Sequence, residues 1–220
     1  MRPERSGSRA LTIGCIVAWF VAAFATRWLG QWIALGGIAV LLALVSLVVD
    51  RLANLRLFEG LWPRDPRGWA TAIAAGLVGG VGMTVATYAL YQPVVRLAPM
   101  FFHDVTHLYG AFVKLPPWLA VVVLVPIICS EELVWRGAVQ TTMNHNLSAP
   151  AAAALAAVVY SLAHAPTGSP VLVLAALGCG IVWSALRGLT GSFVAPIIAH
   201  LVWDFSVLLL HPLAPPILPP

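Results

Sequence analysis

The sequence is poor in charge. Only 9% of its 220 residues are charged, whereas 60% are hydrophobic, and the mean hydropathy is +0.92. So few polar side chains cannot cover the surface of a water-soluble domain of this size. The shortage therefore excludes a soluble protein and predicts an integral membrane protein built from apolar spanning helices.

Cysteine and lysine are also scarce. The three cysteines, Cys15, Cys129 and Cys179, lie in apolar segments without paired spacing, which argues against a disulfide framework or a zinc knuckle. Lysine occurs once among the 12 lysine and arginine residues. The net charge of +4 comes largely from arginines beside apolar runs, a pattern typical of membrane topology rather than of nucleic-acid binding. The preference for arginine is typical of a GC-rich bacterial genome. The predicted location is the bacterial inner membrane.

Seven apolar runs are long enough to cross a bilayer. They cover residues 10–27, 32–49, 69–92, 118–142, 149–166, 171–187 and 192–211. In an eighth segment, residues 98–115, hydrophobic side chains recur at helical spacing around His103, Asp104 and His107, which suits an interfacial helix or a re-entrant segment. The sequence therefore predicts an all-α transmembrane bundle of seven to eight spanning helices, in a single domain over residues 1–220.

The arginines predict an orientation. If the N-terminus is cytoplasmic, most basic residues fall on the cytoplasmic side, namely Arg51, Arg56, Arg64, Arg67, Arg136 and Arg187. Only Arg27, Arg96 and Lys114 then lie outside. This asymmetry favours a cytoplasmic N-terminus, with the C-terminus outside for seven spans and inside for eight.

Glycines in the third run predict close helix packing. Gly76 and Gly80 are four residues apart, the spacing at which small residues let two membrane helices approach each other. We therefore expect this helix to pack tightly on a neighbour.

Titratable side chains nevertheless occur inside the predicted spans: Glu131, Glu132, Arg136, His164, His200 and Asp204. An ionisable side chain near the bilayer centre costs about 2.5 to 3.5 kcal/mol on insertion scales, so such residues indicate a functional site. Residues four apart share a helix face, which pairs Glu132 with Arg136 and His200 with Asp204. Glu131 points about 100° away from Glu132 and is free to face another helix.

This set of residues suits the activation of water. A carboxylate and an imidazole can take the proton of a water molecule, while neighbouring donors stabilise the oxyanion formed on a carbonyl. Pro126 lies five residues before Glu131 and cannot donate to the carbonyl of Val122, so we expect a bend there that opens a polar cavity. The chemistry predicted from the residues is peptide-bond hydrolysis without a covalent intermediate.

Three motifs resemble those of a known family. Glu131-Glu132-Leu-Val-Trp-Arg136 resembles an EExxxR motif, Tyr160-Ser-Leu-Ala-His164 an FxxxH motif and His200-Leu-Val-Trp-Asp204 an HxxxN/D motif. Their order and spacing are those of the CAAX protease and bacteriocin-processing family, the type II CAAX prenyl endopeptidases. The resemblance covers about residues 118–211, a predicted catalytic core, whereas residues 1–100 carry no motif.

The resemblance implies a glutamic-type intramembrane endopeptidase that processes a C-terminal anchor or leader of a membrane-associated protein, without a cofactor. By position, Glu131 would be the general base, assisted by His164, and His200 with Asp204 would line the oxyanion side. Glu132 and Arg136 would support the geometry and charge of the site.

Two residues depart from the family pattern. Tyr160 stands where phenylalanine is usual and adds a hydroxyl group. Asp204 stands where the best-studied eukaryotic members have asparagine, and an ionised aspartate cannot donate to an oxyanion. Asp204 is therefore either protonated or orients His200, and the four-residue spacing favours the second role.

Three alternatives stay open at the level of sequence. Glu131, His164, His200 and Asp204 have the side-chain types of a zinc site, although the HExxH motif of common zinc peptidases is missing. His103, Asp104 and His107 could bind a metal, but an interfacial polar face is the preferred interpretation. The acids could also serve a proton-coupled carrier, a non-catalytic scaffold or an immunity protein. The prediction retained is an enzyme with a protein or peptide substrate, in contact with membrane lipid and without metal or nucleic acid.

Overall fold

Each predicted apolar run forms a helix in the computed structural model, which describes residues 3–29, 32–112 and 116–214. The helices are α1 Pro3–Leu29, α2 Gly37–Ala53, α3 Pro66–Leu97, α4 Met100–Phe112, α5 Pro117–Glu132, α6 Gln140–Asn144, α7 Ala149–Ala163, α8 Pro170–Thr190 and α9 Val194–Asp204. π-Helical stretches precede α2 at Trp32–Gly36, join α5 to α6 at Leu133–Val139 and extend α9 at Phe205–Leu210. A 3₁₀ turn at Ala165–Thr167 precedes α8, and no strand occurs among these residues.

The membrane-spanning character of the helices matches the prediction. Six helical segments in the described ranges are long and apolar enough to cross a membrane, and the shorter Val194–Leu210 is a seventh apolar helix. The eighth candidate is α4, whose 13 residues extend only about 20 Å, too short for a bilayer core of about 30 Å. The protein is thus an all-helical, multi-pass membrane bundle.

Local sequence signals set several helix ends. The Asp65 side chain accepts a hydrogen bond from the amide of Gly68 at 2.8 Å and caps α3, with proline at the first helical position. Ser169 caps α8 in the same way through the amide of Leu172. Gly191 ends α8 with a φ of +67°, a conformation that glycine adopts without steric cost.

Small residues allow close contact between α3 and α9, as the glycine spacing predicts. A Cβ atom added at Gly76 would lie 2.7 Å from the carbonyl oxygen of Ala195. One added at Gly80 would lie 2.7 Å from the Cβ of Val202. These glycines therefore fix the position of α9, the helix that carries His200.

Contacts between loops define one end of the bundle. Arg9 donates a hydrogen bond to the side chain of Asn146, and the amide of Phe193 donates to the carbonyl of Leu61. The start of α1 and the α2–α3, α6–α7 and α8–α9 connections therefore lie together, and we call this the α2–α3 loop end. At the opposite end, α4 packs against the last described residues through Val105 and Ala214.

Two arginines that were counted on the cytoplasmic side are buried in the bundle. Arg136 is 1% exposed and forms the ion pair with Glu132 that the four-residue spacing predicts. Arg187 lies near the α2–α3 loop end and is also buried. A buried carboxylate, rather than water, neutralises the guanidinium of Arg136. Lys114 lies outside the described residues.

Asp104 of the eighth segment makes a structural contact between two helices. Asp104 in α4 accepts hydrogen bonds from the Ser169 hydroxyl at 2.8 Å and the Val171 amide at 2.9 Å. The carboxylate therefore ties α4 to the first turn of α8. This is a structural role that the polar pattern alone did not indicate.

Candidate active site

The polar residues of the three motifs converge at the middle of the bundle. Glu131 and Glu132 end α5, Tyr160 lies in the last turn of α7, His164 follows that helix directly, and His200 and Asp204 lie in α9. Helix α8 completes the site with Trp183. Residues separated by up to 73 positions in the chain thus surround one region.

Glu132 connects two of the motifs. One of its carboxylate oxygens accepts a hydrogen bond from Nη1 of Arg136 at 3.1 Å and another from Nδ1 of His200 at 2.8 Å. Glu132 is 0% exposed, Arg136 1% and His200 4%. The ion pair with Arg136 follows from the four-residue spacing, whereas the bond to His200 required the packing of α9 against α5.

Three groups hold the His200 ring. Its plane stacks on the Trp183 indole at 3.6 Å between ring centroids and 20° between planes. Nδ1 bonds to Glu132, and Nε2 lies 3.6 Å from Oδ2 of Asp204, an ion-pair distance rather than a hydrogen bond. The predicted orienting role of Asp204 therefore belongs in larger part to Glu132 and Trp183.

Aromatic faces surround the buried guanidinium of Arg136. Its Cζ lies 4.8 Å from the ring centroid of Tyr160 and 5.1 Å from that of Trp183. Nη2 donates to the carbonyl of Gly180 at 3.4 Å. A cation is favourable against aromatic faces in an apolar region, so these contacts add to the ion pair.

Glu131 differs from its neighbour in access. Its side chain is half-buried, whereas Glu132 is fully buried. The Tyr160 hydroxyl donates a hydrogen bond to Oε2 of Glu131 at 2.7 Å. Glu131 is thus held from one side while it remains accessible, as a group that acts on an incoming molecule must be.

His164 lies beside the same tyrosine. Its Nδ1 is 2.8 Å from the carbonyl oxygen of Tyr160, and a carbonyl can only accept, so Nδ1 carries the proton. In the neutral ring Nε2 is then the free acceptor. The imidazole meets Tyr160 edge-on at 4.7 Å and Trp19 of α1 at 5.6 Å between centroids.

The backbone beside the acids is irregular. π-Helical stretches begin directly after Glu132 and after Asp204. Such insertions occur often at functional sites because they redirect side chains. Helix α5 keeps its α-helical form through Pro126, and the change to π-helix follows the two glutamates.

No group of three or more His, Cys, Asp or Glu side chains in the described part of the chain is arranged to hold a metal ion. The four residues weighed as zinc ligands instead make separate contacts. Glu131 pairs with Tyr160, His164 with a backbone carbonyl, and His200 with Glu132 and Asp204.

Comparison with known proteins supports the motif assignment. The profile of the family described as type II CAAX prenyl endopeptidase Rce1-like matches residues 112–206. This segment contains all three motifs, and the predicted resemblance is confirmed. No curated protein and no solved structure matches the chain. The family match supports a membrane endopeptidase in general.

Proposed function

We propose, from the match of residues 112–206 to the Rce1-like type II CAAX prenyl endopeptidase family, that this protein is a membrane protease that uses Glu131 and His164 to activate a water molecule. The substrate is a membrane-associated partner protein, cut near a C-terminal anchor or within a leader. The bacterial inner membrane, with the N-terminus on the cytoplasmic side, is the proposed location.

The observation that carries this proposal is the difference between the two adjacent glutamates. Glu132 is occupied by Arg136 and His200 and has no exposure, so it serves as a fixed support. Glu131 is half-buried and bonded to the Tyr160 hydroxyl, which leaves carboxylate surface for water. A general base needs such access to the proton that it removes.

In the proposed reaction, Glu131 takes a proton from water, assisted by the free Nε2 of His164. The water oxygen bonds to the carbonyl carbon of the peptide, and the carbonyl oxygen becomes an oxyanion. His200, oriented by Glu132 and Trp183 with Asp204 beside it, stabilises that charge. The proton then passes to the leaving nitrogen, the C–N bond breaks, and a new carboxylate and a new amine are released.

The test uses the cells in which the protein naturally occurs. The chromosomal copy is replaced by Glu131→Gln, and membrane-protein termini are compared with wild type by terminal-peptide mass spectrometry. Because Gln cannot accept the proton, processed termini should disappear and uncut precursors should accumulate. Glu59→Gln, on an exposed glutamate of the α2–α3 loop, is the matched control and should leave the termini unchanged.

A non-catalytic scaffold predicts another outcome. Glu131→Gln has nearly the same shape as glutamate, so a protein that only binds its partner should tolerate the change. Identical termini in the wild-type and Glu131→Gln strains, with equal protein levels, would overturn the proposed protease. Capture of an uncut precursor by Glu131→Gln would identify the substrate.

A further inference from the structure

A row of buried polar side chains leads away from the candidate active site. Glu132, Arg136 and Gln140 recur every fourth residue along the continuous α5–α6 helix. Ser184 lies opposite Gln140 on α8, and the buried Arg187 follows three residues later on the same helix. We call these five residues the polar seam. Nη2 of Arg136 donates to the carbonyl of Gly180, and Nε2 of Gln140 donates to the carbonyl of Ser184 at 3.0 Å, so the two helices run side by side.

Every residue of the polar seam keeps a buried polar atom without a hydrogen-bond partner among the described residues. These atoms are Oε2 of Glu132, Nε of Arg136, Oε1 of Gln140, Oγ of Ser184 and Nε of Arg187. Their residues are between 0% and 9% exposed. Buried polar groups in proteins are almost always paired with protein or with ordered water, and lipid offers neither donor nor acceptor.

The direction of the polar seam is set by the helices that carry it. Both run from the site toward the α2–α3 loop end, where Gly137 lies against Phe58 and α8 stops at Gly191. Arg187 is in the last turn of α8, next to that end. Successive members on one helix are about 6 Å apart along its axis, a span that one water can bridge with two hydrogen bonds.

We propose that the polar seam binds a file of water molecules that joins the buried Glu132 to the aqueous phase at the α2–α3 loop end. Each water pairs with an atom that the protein leaves without a partner and bridges one member to the next.

The test measures access of water directly, without substrate. Ser184→Cys is introduced into a chain whose Cys15, Cys129 and Cys179 are replaced by alanine, and exchange of the thiol hydrogen in heavy water is followed by the infrared S–H band. The control retains Cys15 alone, a natural thiol that is 1% exposed and lies off the polar seam. The hydrogen of a thiol in contact with the water file should exchange at least about 100-fold faster than that of a buried thiol, which exchanges only when the surrounding helices open locally.

A second variant tests the route itself. Adding Arg187→Leu to Ser184→Cys removes the polar side chain that lies between residue 184 and the α2–α3 loop end, and exchange should slow about tenfold. Circular dichroism and thermal melting establish that each variant is folded. Equal exchange at residues 184 and 15, or an unchanged rate with Arg187→Leu, would overturn the water file. Neither result depends on proteolysis, so failure of the proposed protease is distinguishable.

Discussion

The ion pair between Glu132 and Arg136 should be among the strongest interactions in the bundle. The two side chains are 0% and 1% exposed, with 3.1 Å between nitrogen and oxygen. Removal of one partner from a buried pair leaves an uncompensated charge and typically destabilises a protein by about 3–5 kcal/mol. We expect Arg136→Met and Glu132→Gln each to lower the free energy of unfolding by this amount.

The double variant should recover much of the loss. Glu132→Gln with Arg136→Met carries no charge at either position, and exchange of a whole buried pair for uncharged groups is often nearly neutral. The remaining deficit comes from the lost contacts of Arg136 with Gly180, Tyr160 and Trp183. The sum of the single losses should exceed the double loss by about 2–3 kcal/mol.

Unfolding in mixed detergent micelles, titrated with a denaturing detergent, measures these free energies. The exposed pair of Arg56 and Glu59, 3.8 Å apart with side chains 68% and 62% exposed, is a matched control. Its coupling energy should be below about 1 kcal/mol. Strict additivity at residues 132 and 136 would refute the argument that this pair stabilises the site.

Three further substitutions test single contacts. Tyr160→Phe removes the donor to Glu131 and should lower kcat/KM for an identified substrate about tenfold, whereas an unchanged value would contradict a positioning role. Gly80→Ala should lower the melting temperature because the added Cβ would clash with α9. Gly82→Ala is the control and should leave the melting temperature unchanged, since its Cβ would have no atom within 4 Å. Equal melting temperatures for the two variants would argue against the contact between α3 and α9. Asp104→Ala should speed amide hydrogen exchange in α4 about tenfold, since it releases two hydrogen bonds to α8, and unaltered exchange would show that the link is dispensable.

The spans were predictable because length and hydropathy alone decide whether a helix can cross a bilayer. The contact of α3 with α9 was also within reach, since Gly76 and Gly80 mark a face on which two backbones can approach. The pairing of Glu132 with Arg136 followed from helix periodicity. Each of these features depends on a single helix or on one helix face.

Features that depend on the packing of several helices were missed. Trp183 is an apolar aromatic in an apolar run, and nothing in the sequence marks it as the surface on which His200 stacks. The bond from His200 to Glu132 joins residues 68 positions apart, so helical spacing pointed only to the nearer Asp204.

The central proposal is that water, activated at Glu131, attacks the peptide carbonyl directly. Purified protein in excess over its substrate is allowed a single turnover in oxygen-18-labelled water, and the products and the Glu131 peptide are weighed by mass spectrometry. The proposal predicts that the label enters the new C-terminal carboxylate of the product in the first turnover and is absent from Glu131. Label in Glu131 with an unlabelled first product would reveal an acyl intermediate, and that result, or the lack of any cleaved product, would contradict the proposal.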